Sequence, residues 1–152
     1  LGGGGEAEAE AYGWGIVRLS LLIYVVVAAA VVAFADPIAG VFVDDPANRA
    51  LSARFVRVAA VSVIAVGVDG SVTGALRGAG DTRVPFLSAL AGLYLVAVPV
   101  AWLGTVVPAL GIGGLLVALV AEKAIPMAVN LWRFRSNRWK AVSRGYRPEA
   151  SD

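Results

Sequence analysis

Apolar residues in this chain are gathered into four long blocks, separated by short segments rich in charge, glycine or proline. The first block runs from Ile16 to Ala35, broken only by Arg18 and Ser20 near its start; the second runs from about Ala50 to Leu76. The third extends from Pro85 to about Val107 and the fourth from Ile112 to Trp132. Twenty helical residues rise about 30 Å, the thickness of a bilayer's hydrocarbon core, so each block predicts a membrane-crossing helix. The fold class is therefore an all-α membrane protein with transmembrane helices over about 16–35, 50–77, 85–107 and 112–133. Residues 1–15 read as a polar linker and helix start, 16–133 as the transmembrane region, and 134–152 as a basic tail.

The punctuation between blocks has its own local physics. Asp36-Pro37 stops the first helix, and Asp44 or Asp45 ahead of Pro46 suits the amino end of the second, where a carboxylate caps free amides. In GALRGAGDTRVP, Gly74 to Pro85, glycines recur where a helix must end and a proline opens the next one. The segment reads as helix, tight charged turn, helix, with Asp81 flanked by Arg77 and Arg83, which cap and anchor the turn. Gly70, Gly74 and Gly78 at four-residue spacing form the small-xxx-small pattern that lets helix backbones approach closely. Pro99 leaves the Leu95 carbonyl without its usual donor, so a kink is expected there, and Gly104–Gly114 makes a turn with no charge.

Composition sharpens this picture. Of 152 residues 59% are hydrophobic, against about 45–50% in soluble domains. Cysteine and histidine are absent, so disulfides, thiolate metal sites and imidazole proton shuttles are ruled out, and proton or cation chemistry falls to Asp or Glu. No nucleophile–base pair is visible, which argues against an enzyme. A net charge of only +2 gives nucleic-acid binding no support. With an even number of spans both ends share one side, which collects Arg18, Arg77, Arg83, Arg133, Arg135, Arg138, Lys140, Arg144 and Arg147; the other side holds Arg49, Arg54 and Arg57. That bias places both termini and the GAGDTR turn in the cytoplasm of a multi-pass cell-membrane protein. The basic tail then meets anionic membrane lipids, and the Trp14, Trp132 and Trp139 indoles fall at the interfaces. The glycine-rich opening at Leu1 is no secretory signal, and the chain reads as the C-terminal part of a longer protein.

The candidate chemistry lies inside the blocks. Asp69 is the one ionisable group in the deep part of the second, where a carboxylate costs about 2.5–3.5 kcal/mol and must face the bundle interior, a cavity or a partner. Ser62, Asp69 and Thr73 share a narrow helical stripe of oxygen donors, suited to Na⁺ or to a proton held on the carboxyl; the other reading is a protonated Asp that packs against a neighbouring helix. Glu122 and Lys123, near the middle of the fourth block, point about 100° apart and so cannot both face one partner directly. Either they line a cavity or each pairs with another helix, Lys123 with a carboxylate outside this chain. Pro126 frees the Glu122 carbonyl as an acceptor.

GALRGAGDTRVP closely resembles the signature of the multidrug and toxic compound extrusion (MATE) transporters, at the end of the tenth of their twelve helices. In order along the chain, LGGGGEAEAEAYGW resembles the segment after the eighth helix, FVDDPANRA the loop before the tenth, AVPVAWL the proline-bearing eleventh, and LWRFRSNRWK the end of the twelfth. The resemblance implies the last four helices of the C-terminal six-helix lobe of a cation-coupled antiporter that expels small organic cations. Its partners would be the missing N-terminal portion, membrane lipids and substrate, with no cofactor beyond the coupling Na⁺ or H⁺. In the Na⁺-coupled branch of that family the acid lies about one turn earlier, near Val66, so Asp69 carries the role by proximity on a similar face. The rival readings are a lipid-linked oligosaccharide flippase of the same superfamily, which would place more basic residues in the cavity than Lys123 alone, and a non-transporting membrane subunit or truncated product.

Overall fold

The computed structural model describes residues 5–107 and 109–145. The extreme ends, including Arg147 in the expected tail, lie outside the described residues. Helix α1 spans Glu6–Ala33, α2 Ala35–Phe42 and α3 Pro46–Gly78. The third crossing is continuous from Arg83 to Val106 but changes winding: α4 covers Arg83–Leu90, a π-helical segment Ala91–Ala97, and α5 Val98–Val106. Helix α6 spans Gly111–Arg135 and α7 Trp139–Arg144. Four of these crossings are long and apolar enough to cross a membrane, and no strand occurs among the described residues.

The boundaries have local causes. Asp45 caps α3 by accepting from the Asn48 amide at 2.9 Å, with Pro46 in the first turn. The other end of α3 closes when the Gly80 amide donates to the Arg77 carbonyl and the Asp81 amide to Leu76, both at 2.9 Å. That pairing needs a left-handed residue between helix and exit, and Gly80 supplies it at φ 88°. The DPIAGVF stretch, rather than simply ending α1, forms α2 and packs against α3. Ahead of Pro99, where a kink is expected, the helix takes a wider turn. The Val98 amide reaches back five residues to the Leu93 carbonyl, so the turns before Pro99 are wound as π-helix.

Most bulky apolar side chains point outward, although Val72 and Leu76 of α3 are fully buried. Leu22, Val41, Phe42, Tyr94 and Leu95 are largely exposed, while Ala35, Ala39, Ala53, Ala60 and Ala118 are buried. This inversion follows from the solvent. Lipid tails are as apolar as leucine, so burying large apolar groups between helices gains little, and small residues that bring backbones close are favoured. Gly104 and Gly114 mark a close approach of two backbones; a Cβ on Gly114 would stand 2.7 Å from the Gly104 Cα. Gly92, in the π-helical segment, lies against Pro126, where an added Cβ would be 2.9 Å from the ring. The Gly70/Gly74/Gly78 stripe, by contrast, meets no helix of the described chain, and an added Cβ at any of the three would find no atom within 4 Å. It borders an open groove of about 640 Å³ between α1 and α3.

The tail does not simply trail away. Asn137, in the left-handed region at φ 56°, turns the chain so that α7 folds back. Trp139 is buried, stacked on Phe134 at 5.7 Å, and Phe134 meets Trp14 edge-on at 5.5 Å. Two of the three indoles expected at an interface are therefore packed in an aromatic cluster, while Trp132 is more than half exposed, beneath Arg138. Lys140 and Glu10, 2.5 Å apart, close the same end of the bundle.

The Gly104–Gly114 crossing is testable at adjacent positions. Gly114→Ala forces the backbones apart and is expected to cost about 1–3 kcal/mol. Gly113→Ala, with open space around it, should be neutral or gain about 0.5–1 kcal/mol through helix propensity. Thermal unfolding in detergent reads both; equal effects would refute the close approach.

Candidate cation site and its surroundings

The site is built on helix periodicity. On α6, Gly114, Ala118, Pro126, Asn130 and Phe134 recur at multiples of four residues and are buried, forming the stripe that faces the rest of the bundle. Asn130, 1% exposed, thereby faces α3 and α4. Its Nδ2 donates to Asp69 Oδ1 at 2.8 Å and to Thr73 Oγ1 at 3.2 Å, one helical turn apart on α3. Its Oδ1 accepts from Ser88 Oγ of α4 at 3.1 Å. The Ser88 hydroxyl also faces the Pro85 carbonyl at 2.9 Å. One amide thus joins three helices. No such polar group could be left bare within a bilayer, where each unsatisfied donor or acceptor costs several kcal/mol.

The structure brings together two of the three residues on the expected stripe. Asp69, half-buried, and Thr73 meet at Asn130. Ser62 does not join them. It is buried two turns away, and its hydroxyl donates to the Val58 carbonyl of its own helix at 3.1 Å. Seven residues place it on the same side of the helix but about 10 Å along it, too far to share one ion with Asp69. The oxygen donors at the site are the Asp69 carboxylate and the Thr73 hydroxyl, while Asn130 turns its N–H groups toward them.

Glu122 and Lys123 depart from expectation as well. They pair with each other at 2.6 Å, a partner that the sequence reading did not offer. Cα directions 100° apart do not prevent this, because both side chains are long enough to bend together. Glu122 sits on the same four-residue repeat as Pro126 and Asn130, and Lys123 curls back to it. The Glu122 carbonyl freed by Pro126 is covered by Gly92, whose Cβ would lie 3.0 Å away.

At the turn, the anchor of Asp81 is neither neighbouring arginine. Arg133 Nε donates to Asp81 Oδ2 at 2.7 Å, and both side chains are well buried. Arg77 and Arg83 stay exposed and take part in none of the ion pairs among the described residues. The choice has an electrostatic reason. Arg133 lies in the last turn of α6 and meets a carboxylate just beyond the last turn of α3, so the negative ends of both helices favour the cation. At the opposite end of the bundle Arg57 of α3 pairs with Asp36 of α2. Between α1 and α3 the Ser71 and Ser20 hydroxyls are hydrogen-bonded at 2.6 Å.

Against this geometry, a family model described as MatE matches residues 1–103. The chain belongs to the MatE family. Among its relatives, it is 38% identical over 94 residues to the multidrug resistance protein NorM of Burkholderia vietnamiensis, covering 60% of this chain and 20% of that protein. It is 27% identical over 122 residues to the probable multidrug resistance protein NorM of Thermotoga maritima, covering 80% of this chain and 26% of the relative. The probable NorM of Deinococcus radiodurans is 37% identical over 113 residues, 70% of this chain and 25% of its own length. This MatE chain thus spans a fifth to a quarter of the length of these relatives. No solved structure matches it. Family membership and the four long apolar helices make it a multi-pass membrane protein.

Asn130, Ser88 and Arg133 are the residues that sequence reasoning passed over as site members. The four-residue stripe of small and polar side chains on α6 is the signal that marks Asn130. For the buried ion pair, Asp81→Ala leaves Arg133 without its partner and is expected to cost about 3–5 kcal/mol. Arg83→Ala should change stability by less than about 0.5 kcal/mol. Unfolding in detergent distinguishes them, and equal losses would mean that Asp81 is held from within the turn.

Proposed function

We propose that this MatE chain is part of a cation-coupled multidrug efflux transporter, in which Asp69 takes up and releases Na⁺ or H⁺ while organic cations are expelled. The observation that carries this reading is the placement of Asp69. A carboxylate inside a membrane-crossing helix is bound to the two neighbouring helical segments through one amide, so its charge bears directly on how α3, α4 and α6 fit together. A group whose charge differs between two helix arrangements shifts the balance between them by its differential interaction, and this is the requirement for coupling an ion to substrate movement. The names of the NorM relatives support drug export as the transported class. Antiport through a central cavity needs the rest of the transporter, which is this chain's first partner; membrane lipids are the second.

The charge asymmetry supports an orientation with both termini and the GAGDTR turn in the cytoplasm of the cell membrane, so that the Asp81–Arg133 pair and the aromatic cluster close the inner end. Pairing of Lys123 with Glu122 leaves that lysine neutralised, which suits a cationic cargo better than the anionic headgroup of a lipid-linked sugar.

In the full-length transporter, Asp69→Asn keeps the size of the side chain and one oxygen that can accept from Asn130, but removes its charge. Ion-driven efflux of an organic cation from cells or proteoliposomes should fall by about 5–150-fold, the range of a 1–3 kcal/mol coupling. Unchanged efflux with unchanged ion dependence would leave Asp69 a packing residue.

A further inference from the structure

The end of the bundle closed by Asp81 and Arg133 carries more positive charge than its carboxylates answer. Asp81 is taken by Arg133 and Glu10 by Lys140. Arg77, Arg83, Arg135 and Arg138 are exposed and enter none of the ion pairs among the described residues. Exposed charge alone gives only a diffuse attraction to anions, screened by salt. At one place on α6 it is organised. Trp132 lies two residues beyond Asn130, about 200° around the helix, and so turns away from the bundle with 56% of its surface exposed. The Arg138 guanidinium stands over its ring, 5.2 Å from the centroid. Arg135, in the last turn of α6, is three residues from each of them. Arg77 and Arg83 stand over no ring among the described residues.

Deeper in the membrane the same side of α6 is small and apolar. Ala128, Ile125 and Ala121 follow Trp132 inward at helical spacing, Ala128 exposed and the other two half-buried. Ala121 borders a cavity of about 370 Å³ whose other lining residues, Val58, Leu116, Val117 and Val120, are all apolar. From Trp132 to Ala121 the helix rises about 16 Å, close to the hydrocarbon depth of one leaflet.

A phospholipid has the matching order of parts. Its phosphate meets guanidiniums, whose planar forks suit phosphate oxygens; an indole sits naturally at the headgroup level; and an acyl chain needs an apolar track of one leaflet's depth. We propose that the outer face of α6 binds one anionic phospholipid. Its phosphate is held by Arg135 and Arg138 beside Trp132, and one acyl chain runs past Ala128 to the cavity at Ala121. The site gives a place and a charge preference to the reading of membrane lipids as partners of this chain. It does not depend on Asp69 carrying an ion, and lipid retention can fail while the efflux reading stands.

Native mass spectrometry of the full chain in detergent, titrated with phosphatidylglycerol or with phosphatidylcholine, reads the site. One phosphatidylglycerol should be retained more tightly than phosphatidylcholine at the same concentration. Arg135→Gln combined with Arg138→Gln should weaken that retention about 30-fold, from about 1 kcal/mol for each arginine near an anionic surface. Arg77→Gln combined with Arg83→Gln removes the same charge from the same end and should weaken it far less. All four side chains are exposed, so neither double variant removes a packed group. Equal losses in the two double variants would reduce the binding to diffuse attraction and overturn the site, and so would equal retention of the two lipids. Added inorganic phosphate should leave the lipid in place; displacement by phosphate would make this a site for a free anion and overturn the lipid assignment.

Discussion

Within a bilayer a hydrogen-bonding group has no water to fall back on, and the buried amide of Asn130 is where this constraint governs the present structure. Its two donors and one acceptor are satisfied by side chains on two other helical segments. Each such bond between membrane helices is worth about 0.6 kcal/mol on average and up to about 1.7. The larger figure at stake is the several kcal/mol lost if the helices separate and leave those groups bare in hydrocarbon. Three crossings are thereby held in one register, and a carboxylate becomes part of the register.

The rest of the architecture keeps that register possible. Alanine and glycine let α3 and α5 run close enough to α6 for short side chains to meet, and most bulky apolar residues face outward, apart from the cluster of Val68, Val72, Leu76, Phe134 and Trp139. The π-helical segment takes up the turn before Pro99, and Gly92 makes room for the Pro126 ring at the α6 crossing. One end of the bundle is closed by the Asp81–Arg133 pair and by the Trp14–Phe134–Trp139 cluster, so the turn after α3 and the chain after α6 are fastened at one place.

What could be read from the residues follows a simple division. Features set by neighbours in sequence were legible: the four crossings, a carboxylate cap at Asp44 or Asp45, and a glycine turn closing α3, with Pro99 marking where the third crossing departs from regular winding. Asp69 and Thr73 sharing a face followed from helix geometry. Features set by which helix lies opposite were not legible. Arg133 is 52 residues from Asp81, and Asn130 is 61 from Asp69. Local spacing favoured Arg77 and Arg83 for the turn and Ser62 for the ion site, but distance along the helix axis and the converging helix ends decided otherwise. Glu122 and Lys123 show the limit of reasoning from Cα directions, since flexible side chains close an angle that the backbone opens. The Gly70/Gly74/Gly78 stripe was readable as a packing pattern, yet the described chain sets no helix against it.

The most direct test of the three-helix amide is a double-mutant cycle on unfolding in detergent, with Asp69→Ala, Asn130→Ala and the combination. Residues in contact through a shared network deviate from additivity by about 0.5–3 kcal/mol, and a coupling of about 1–2 kcal/mol is expected here. Additivity within about 0.3–0.5 kcal/mol, the behaviour of independent sites, would contradict the joining of α3 to α6 through that bond.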